Sequence, residues 1–192
     1  MVEPGRFAQH YLEDALRQLH KLKAQGDRAL AQVPESDWFT VLDPESNSIA
    51  ILMKHLAGNM RSRWTDFLTS DGEKPDRRRD SEFEREETDT AQSIREMWEA
   101  GWRLVFAAIE PLKPEDLLRT VTMRGEAHSV TEAINRQMTH YAGHVGQIVL
   151  LAKHFAGPAW KSLSIPRGKS RDLDVGKEGE SYRLGADRPP RA

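Results

Sequence analysis

The stretch SVTEAINRQMTHYAGHVGQIVLLAKHFAGP, residues 129–158, has the apolar spacing of one long amphipathic helix. Its start is predicted at Ser129 or Thr131, and Glu132 stands three residues after Ser129, as in a capping box. The helix is predicted to run to about Phe155, because a Gly-Pro pair follows and ends it. One side of the stretch is apolar and is expected to face the core, through Met138, Tyr141, Val145 and Ile148.

Three earlier stretches show the same helical spacing of apolar residues. They run from about Pro4 to about Gln32, from Asn47 or Ser48 to about Thr69, and from about Thr90 to Glu110. Helix-ending residues follow each of them: Pro34, the pair Asp71-Gly72, and Pro111. Four long helices with little strand predict an all-α fold, a four-helix bundle.

The connection between the second and third helices, residues 71–87, is long and polar. Its length suits a crossover between bundle helices that are not simple hairpin neighbours. The run Arg77-Arg78-Arg79 within it could bind phosphate. However, Asp76 and Asp80 bracket the run, and a solvated loop is the favoured interpretation.

Two further features complete the predicted architecture. Residues 118–130 break the helical pattern and alternate around a turn at Gly125, which predicts a small β-hairpin before the fourth helix. Residues 1–170 are predicted to form a single helical domain. Residues 171–192 are rich in charged residues and glycine, and they are expected to form an extended or disordered tail.

The composition of the 192 residues limits the classes of function. The formal net charge is −2 and basic residues alternate with acidic ones, so nucleic-acid binding is not expected. No stretch approaches the roughly 18 apolar residues of a membrane span, and a cytoplasmic location is the expectation. There is no cysteine, so the chain can supply neither a thiolate ligand nor a thiol nucleophile.

Two of the seven histidines, His140 and His144, are spaced i, i+4 on the fourth helix. Residues four apart lie on one helix face with Cβ atoms about 5–6 Å apart, so two imidazoles can converge on one ion at about 2.0–2.1 Å each. The small residues Ala142, Gly143 and Gly146 are expected to leave space around the rings. By itself this spacing is a weak signal.

His55 is the third candidate ligand, and it shares its side of the second helix with three apolar residues. Ala57 and Gly58 keep the local profile small, either for close helix approach or for packing. A buried neutral imidazole needs a partner, and three inward histidines would satisfy one another by sharing a metal ion. The alternative is that His55 bonds a backbone or side-chain group, while the other two histidines lie at a solvated helix edge.

Other polar residues near these positions are weaker candidates. Asn59 could contact a metal-bound water or the substrate, and Tyr141 could donate a proton, although helix contact and packing are the favoured roles. Gln147, three residues after His144, is a candidate hydrogen-bond partner for that ring. Four arginines could hold an anionic substrate, with surface salt bridges as the ordinary alternative: Arg61, Arg63, Arg124 and Arg136. The remaining histidines are expected at the surface, although His128 could reach a pocket: His10, His20, His128 and His154.

Three blocks of the sequence resemble the DinB-like superfamily, and closely resemble one of its uncharacterised subfamilies. They are KHLAGNMRSRWTDFLTSDGEKPDRRRDSEF (54–83), RTVTMRGEAHSVTEAINRQMTHYAGHVGQIVLLAKH (119–154) and WKSLSIPRGKS (160–170). The resemblance implies a four-helix bundle with an unusual connection between its second and third helices. It also implies metal ligation by His55, His140 and His144. Members of the superfamily are often dimers, so a homodimer is the expectation.

The resemblance also suggests an activity. The superfamily contains bacillithiol transferases and mycothiol-dependent maleylpyruvate isomerases. We therefore expect one divalent metal ion per chain, zinc or nickel first, with iron or cobalt as alternatives. The expected function is a metal-dependent transferase, or a hydrolase-like enzyme, whose small-molecule substrate includes a low-molecular-weight thiol. The competing hypothesis is a non-catalytic metal- or ligand-binding stress-response bundle, and an open pocket beside the ion would favour the enzyme.

Overall fold

The computed structural model describes residues 4–169, and the predicted tail over residues 171–192 lies outside the described residues. Four long helices form where the apolar spacing predicts them: α1 (Pro4–Leu30), α2 (Ile49–Trp64), α3 (Ala91–Ile109) and α4 (Val130–Ala156). The starts of α2, α3 and α4 are capped by hydroxyl side chains, those of Ser48, Thr90 and Ser129. Glu132 and Ser129 form the predicted capping box.

The helix α2 ends at Trp64, about one turn earlier than the predicted end near Thr69. The chain leaves the helix there because Asp66 adopts a positive φ of 49°, and turns follow through residue 70. The apolar residues Phe67 and Leu68 still pack against the core from this turn, which is why their spacing resembled a helix.

The predicted hairpin forms from β1 (Thr120–Met123) and β2 (Glu126–Ser129), paired antiparallel. Its turn residues, Arg124 and Gly125, both have positive φ, at 56° and 77°, as a tight two-residue hairpin turn requires. The Asp71 carboxylate accepts hydrogen bonds from the backbone N–H groups of both residues, at 2.9 and 2.8 Å. The hairpin is thereby tied to the start of the long connection.

The helices pack side by side around one core, with the most extensive contacts between α2 and α3 and between α1 and α4. Lys54 of α2 binds Asp89, just before α3, and Met60, farther along α2, meets Gly101 in the middle of α3. The two neighbouring helices therefore run in the same direction. The long connection is accordingly a crossover that returns the chain to the end where α2 began, and not a hairpin.

The core is built largely from aromatic and aliphatic side chains of the four helices. Among its fully buried members are Trp98, Trp102 and Tyr141, whose rings contact one another edge to face. Within residues 4–169, none of the helices has the length and apolar character needed to cross a membrane.

Candidate metal centre

His55 lies in the middle of α2 and is only 4% exposed. Its Nδ1 is 2.9 Å from Oε2 of Glu82, in a short 3₁₀ turn of the long connection. Arg77 holds the same carboxylate in a two-pronged pair, with Nε to Oε1 and Nη2 to Oε2 both at 2.8 Å. The connection therefore folds back onto α2 and fixes the orientation of the His55 ring.

The Glu82 carboxylate is charged although it is buried. Burial alone would raise the pKa of Glu82, but hydrogen bonds from Arg77 and His55 outweigh burial, and the pKa lies below its ordinary value. Since an ionised carboxylate can only accept, Nδ1 of His55 must donate. The lone pair of His55 is consequently on Nε2, which points toward α4.

His140 and His144 bring two more ring nitrogens to the same place. Nε2 of His140 lies 3.3 Å from Nε2 of His55 and 3.1 Å from Nε2 of His144. The Nδ1 of His144 faces Oε1 of Gln147 at 2.7 Å, so that nitrogen donates and Nε2 again carries the lone pair. Gln147 occupies the predicted place of a partner that orients a ligand ring.

This arrangement fits a divalent ion. Two lone pairs directed at one point repel each other unless a proton or a cation lies between them. Tetrahedral ligation with bonds of about 2.0–2.1 Å places ligand nitrogens about 3.3 Å apart, close to the observed 3.1 and 3.3 Å. Among residues 4–169, these three histidines are the group of potential ligands whose atoms all lie within 4.8 Å of one another.

The protonation of the rings also suits ligation. Burial, followed by the neighbouring His144 and His55 rings, lowers the pKa of His140 to about 4. Burial also lowers the pKa of His144. Both rings are therefore neutral near pH 7, as metal ligands must be.

A cavity of about 200 Å³ opens beside the three histidines. His55 and His140 form part of its wall, together with Asn59 and Gln137. Arginines supply the rest of the wall: Arg63, Arg77, Arg79, Arg124 and Arg136. A small molecule entering this cavity would reach the side of the histidine cluster that the helices leave open.

Asn59 and Tyr141 join α2 to α4 rather than reaching into free space. Tyr141 is fully buried, accepts a hydrogen bond from Trp64 Nε1 at 2.8 Å and donates one to Asn59 Oδ1 at 3.3 Å. Burial raises the pKa of Tyr141 above its ordinary value, so the phenol stays protonated. The packing role favoured for Tyr141 and the helix-contact role favoured for Asn59 agree with these contacts, although Asn59 also lines the cavity.

The predicted arginines divide into two sets. Arg61 is half exposed and pairs with Asp76 at 2.8 Å, so it takes the surface salt-bridge role. Arg63 and Arg124 line the cavity, and each pairs with Oε2 of Glu73 at 2.9 Å. Arg136 also lines the cavity, with no ion pair among the described residues.

Two interpretations of the sequence are wrong in detail. Arg77 is not solvated, because its side chain is only 2% exposed and holds Glu82. Gly143 and Gly146 do not make room for the imidazoles, since they lie on the exposed side of α4 with open space around them, and Ala142 is exposed as well. Small size matters instead at Gly58, where a Cβ would overlap the Glu82 carboxylate.

The other histidines do not join the cluster. His10, His20 and His154 are exposed, and His20 stacks on Phe106 at 3.9 Å between ring centroids. His128 lies in β2 with its side chain 19% exposed. None of these four belongs to a potential metal-binding group within residues 4–169.

Sequence reasoning missed Glu82 and the part that Arg77 plays. Glu82 is 27 positions from His55 and lies in a stretch crowded with other acids, so neither spacing nor composition marks it. The one usable signal is Gly58, whose missing side chain leaves the space that Glu82 fills on α2.

Comparison with known proteins gives a family without an assigned activity. No curated protein and no solved structure matches the chain. Residues 6–169 match the family described as "Protein of unknown function (DUF1572)". This match covers nearly all of the described structure, including the three histidines and Glu82, and the chain therefore belongs to the DUF1572 family.

Proposed function

We propose that this chain is a metal-dependent transferase of the DinB-like four-helix-bundle type, which joins a low-molecular-weight thiol to an electrophilic small molecule. Its three histidines, His55, His140 and His144, would hold one divalent ion, zinc or nickel before iron or cobalt. The observation that carries the proposal is the convergence of the three Nε2 atoms at the wall of a cavity. A purely structural ion would be expected to be closed off by four protein ligands.

An ion held by three neutral imidazoles keeps its full charge and open positions, and it lowers the pKa of a thiol or water that binds there. In the proposed reaction the thiol sulfur forms a bond to the electrophilic carbon. The bond from that carbon to a halide or to an epoxide oxygen breaks. The thiol proton goes to that group, which departs as the acid when it is a halide and stays on the product as a hydroxyl when it is an epoxide oxygen. Since the chain has no cysteine, the thiol must come from a cosubstrate.

The chain's own residues have distinct parts in this proposal. Glu82 and Gln147 hold Nδ1 of His55 and of His144, which keeps Nε2 free to ligate. Arg77 keeps Glu82 ionised and in place. The hydrogen-bonded Trp64, Tyr141 and Asn59 hold α4 against α2, so that the ligands on the two helices stay in register.

The first test is metal retention. Elemental analysis of the purified chain should give about one divalent ion per chain, and added zinc or nickel should raise the melting temperature of the metal-free protein. The His140→Ala variant should lose retained metal, whereas His20→Ala should keep it, because His20 lies outside the cluster. Equal retention by both variants would remove His140 from the site.

The second test is activity. Metal-loaded protein would be screened with low-molecular-weight thiols against chloro- and epoxide-type electrophiles, and thiol consumption would be measured. Thiol consumption that disappears in His140→Ala supports the transferase. Stoichiometric metal without thiol consumption would contradict the transferase and favour the non-catalytic metal-binding bundle. That the chain forms a homodimer remains a prediction. Light scattering coupled to gel filtration measures the mass of the particle in solution and tests it.

A further inference from the structure

The cavity beside the histidines carries an excess of positive charge. Five guanidinium groups line it, those of Arg63, Arg77, Arg79, Arg124 and Arg136. Three carboxylates offset part of this charge: the buried Glu82, the half-buried Glu73, and the exposed Asp80, which lies 3.8 Å from Arg79. A divalent ion on the histidines would add two further positive charges at the same wall.

The ion pairs around the cavity leave this excess uncompensated. Glu82 is committed to Arg77 and His55. The single Glu73 carboxylate serves both Arg63 and Arg124, with each guanidinium 2.9 Å from the same oxygen. One acid shared between two arginines neutralises one charge of two.

Arg136 is the arginine with no partner of its own. It lies on α4, one turn before His140, and lines the cavity. Within residues 4–169 its side chain makes no ion pair and no hydrogen bond. A lone exposed arginine is ordinary on a protein surface, so Arg136 needs a second observation beside it.

Gln137 is that second observation. Its side chain also lines the cavity, yet the residue is only 3% exposed, and neither its Oε1 nor its Nε2 has a hydrogen-bond partner among the described residues. An amide buried without partners is costly, and such groups are rare unless a ligand or water satisfies them. The Nε of Arg63, at the same wall, is likewise buried without a partner. Of these groups, the Gln137 Nε2, the Arg63 Nε and the Arg136 guanidinium are donors, and donors without partners beside a cavity suit a ligand that accepts hydrogen bonds.

We propose that this cavity binds the oxyanion of a small-molecule substrate, a carboxylate or a phosphate, with Arg136 and Gln137 as contacting residues. The inference rests on the proposed function, because it names the substrate class of the same centre. Arginine suits this role because its planar fork matches carboxylate and phosphate oxygens, and the Gln137 amide can donate as well. The volume of about 200 Å³ is below the roughly 300–1,000 Å³ of drug-sized sites, so it fits a small anion or the anionic end of a larger substrate.

The test uses the full chain with succinate and inorganic phosphate as probes, at constant ionic strength, in metal-free and zinc-loaded forms. Calorimetric titration should show saturable binding to the metal-free wild type, because the arginines bind without the ion. Arg136→Gln should weaken that binding about tenfold. Arg103→Gln, at an exposed arginine of α3 outside the cavity, should leave it unchanged. Equal binding by the two variants, or no saturable binding to the wild type, would overturn the subsite.

A second variant separates ligand binding from a structural role. Gln137→Met should keep or raise the melting temperature in anion-free buffer, because an unpaired buried amide is removed, and it should also weaken anion binding. A marked loss of melting temperature with unchanged binding would assign Gln137 to the fold and overturn its part in the subsite. Tighter binding of succinate or of phosphate identifies which oxyanion the cavity prefers, and either order supports the subsite if binding depends on Arg136.

The two proposals fail separately. If the protein holds no metal but binds anions through Arg136, the proposed transferase is wrong and the anion subsite stands. If metal is retained through His140 but neither anion binds, the subsite is wrong and the metal centre stands.

Discussion

At the scale of single residues, the histidine centre depends on a carboxylate that fixes a ring. The Glu82 carboxylate accepts a hydrogen bond from Nδ1 of His55 and is itself held by Arg77, so the lone pair on Nε2 of His55 points toward α4 in the protein without an ion. Removing a hydrogen-bond partner of a metal-binding histidine typically lowers metal affinity about ten- to a hundredfold. Gly58 makes the contact possible, since any side chain there would occupy the position of the carboxylate.

Gly58→Ala tests this contact. The added methyl group should push the Glu82 carboxylate away from His55 and weaken zinc binding about ten- to a hundredfold, measured by competition with a chelator. The matched control is Gly143→Ala, also on a helix but with open space at its Cβ position. It should keep wild-type affinity and gain up to about 1 kcal/mol in the free energy of unfolding. Unchanged affinity in Gly58→Ala would contradict the role of Glu82.

The residues of the centre were only partly readable from the sequence. The pair His140 and His144 is visible because helical spacing is regular, and the inward direction of His55 follows from its apolar neighbours. Glu82 was not predictable, because the path of an irregular connection has no sequence period from which to place it. The prediction that Gly143 and Gly146 leave space around the imidazoles was wrong. His140 and His144 lie near the boundary between the buried and exposed faces of α4, where a small rotation of the helix changes which side a glycine faces.

At the scale of elements, the centre depends on helices that approach closely. Gly101 of α3 lies against α2, where a Cβ would be 3.1 Å from the Ala57 Cα and 3.0 Å from the Met60 sulfur. Because α2 also carries His55, the packing of α3 fixes one of the three candidate ligands relative to α4. The small residues of α2 thus serve both roles the sequence suggested, close helix approach at Ala57 and side-chain packing at Gly58.

Gly101→Val is predicted to separate the two helices. The substitution forces side-chain atoms against the backbone of α2, and overpacking of this kind costs about 1–3 kcal/mol in the free energy of unfolding. Gly143→Val adds the same residue on an exposed helix face and carries only the propensity effect. Urea unfolding of both variants gives the comparison. A stability of Gly101→Val equal to that of Gly143→Val would argue against close packing at this point.

At the scale of the whole molecule, the pattern of helices was predictable from the sequence, whereas the formation of the arginine-lined cavity was not. Apolar periodicity and capping residues such as Ser129 mark the four helices, and alternation around Gly125 marks the hairpin. These signals are local. The basic cavity is formed by arginines of α2, the connection, the hairpin turn and α4, and only the fold brings them together.

The pH dependence of stability is a property of the whole chain. In the native metal-free protein the pKa of His140 is about 4, whereas the unfolded chain protonates this ring near its ordinary value of 6.5. Between these values the unfolded state binds the additional proton, so the free energy of unfolding falls as pH falls from about 6.5 to 4. Below that range the carboxylates with lowered pKa, Glu82 and Glu73, continue the loss.

His140→Gln should therefore show a shallower loss of stability between pH 6.5 and 4 than the wild type. Urea unfolding of chelator-treated protein at several pH values measures this slope. His20→Gln is the control, since that ring is exposed and outside the cluster, and it should keep the wild-type slope. Identical slopes in all three proteins would show that the His140 ring is not held neutral by its surroundings.

The proposed centre requires that His55, His140 and His144 together hold one divalent ion. An anomalous difference map from crystals of zinc-loaded protein, with data collected on both sides of the zinc edge, tests it most directly. A single strong peak is expected about 2.0–2.1 Å from each of the three Nε2 atoms, with an open coordination position toward the arginine-lined cavity. No peak at the cluster, or a zinc ion that lacks any one of the three rings as a ligand, would contradict it.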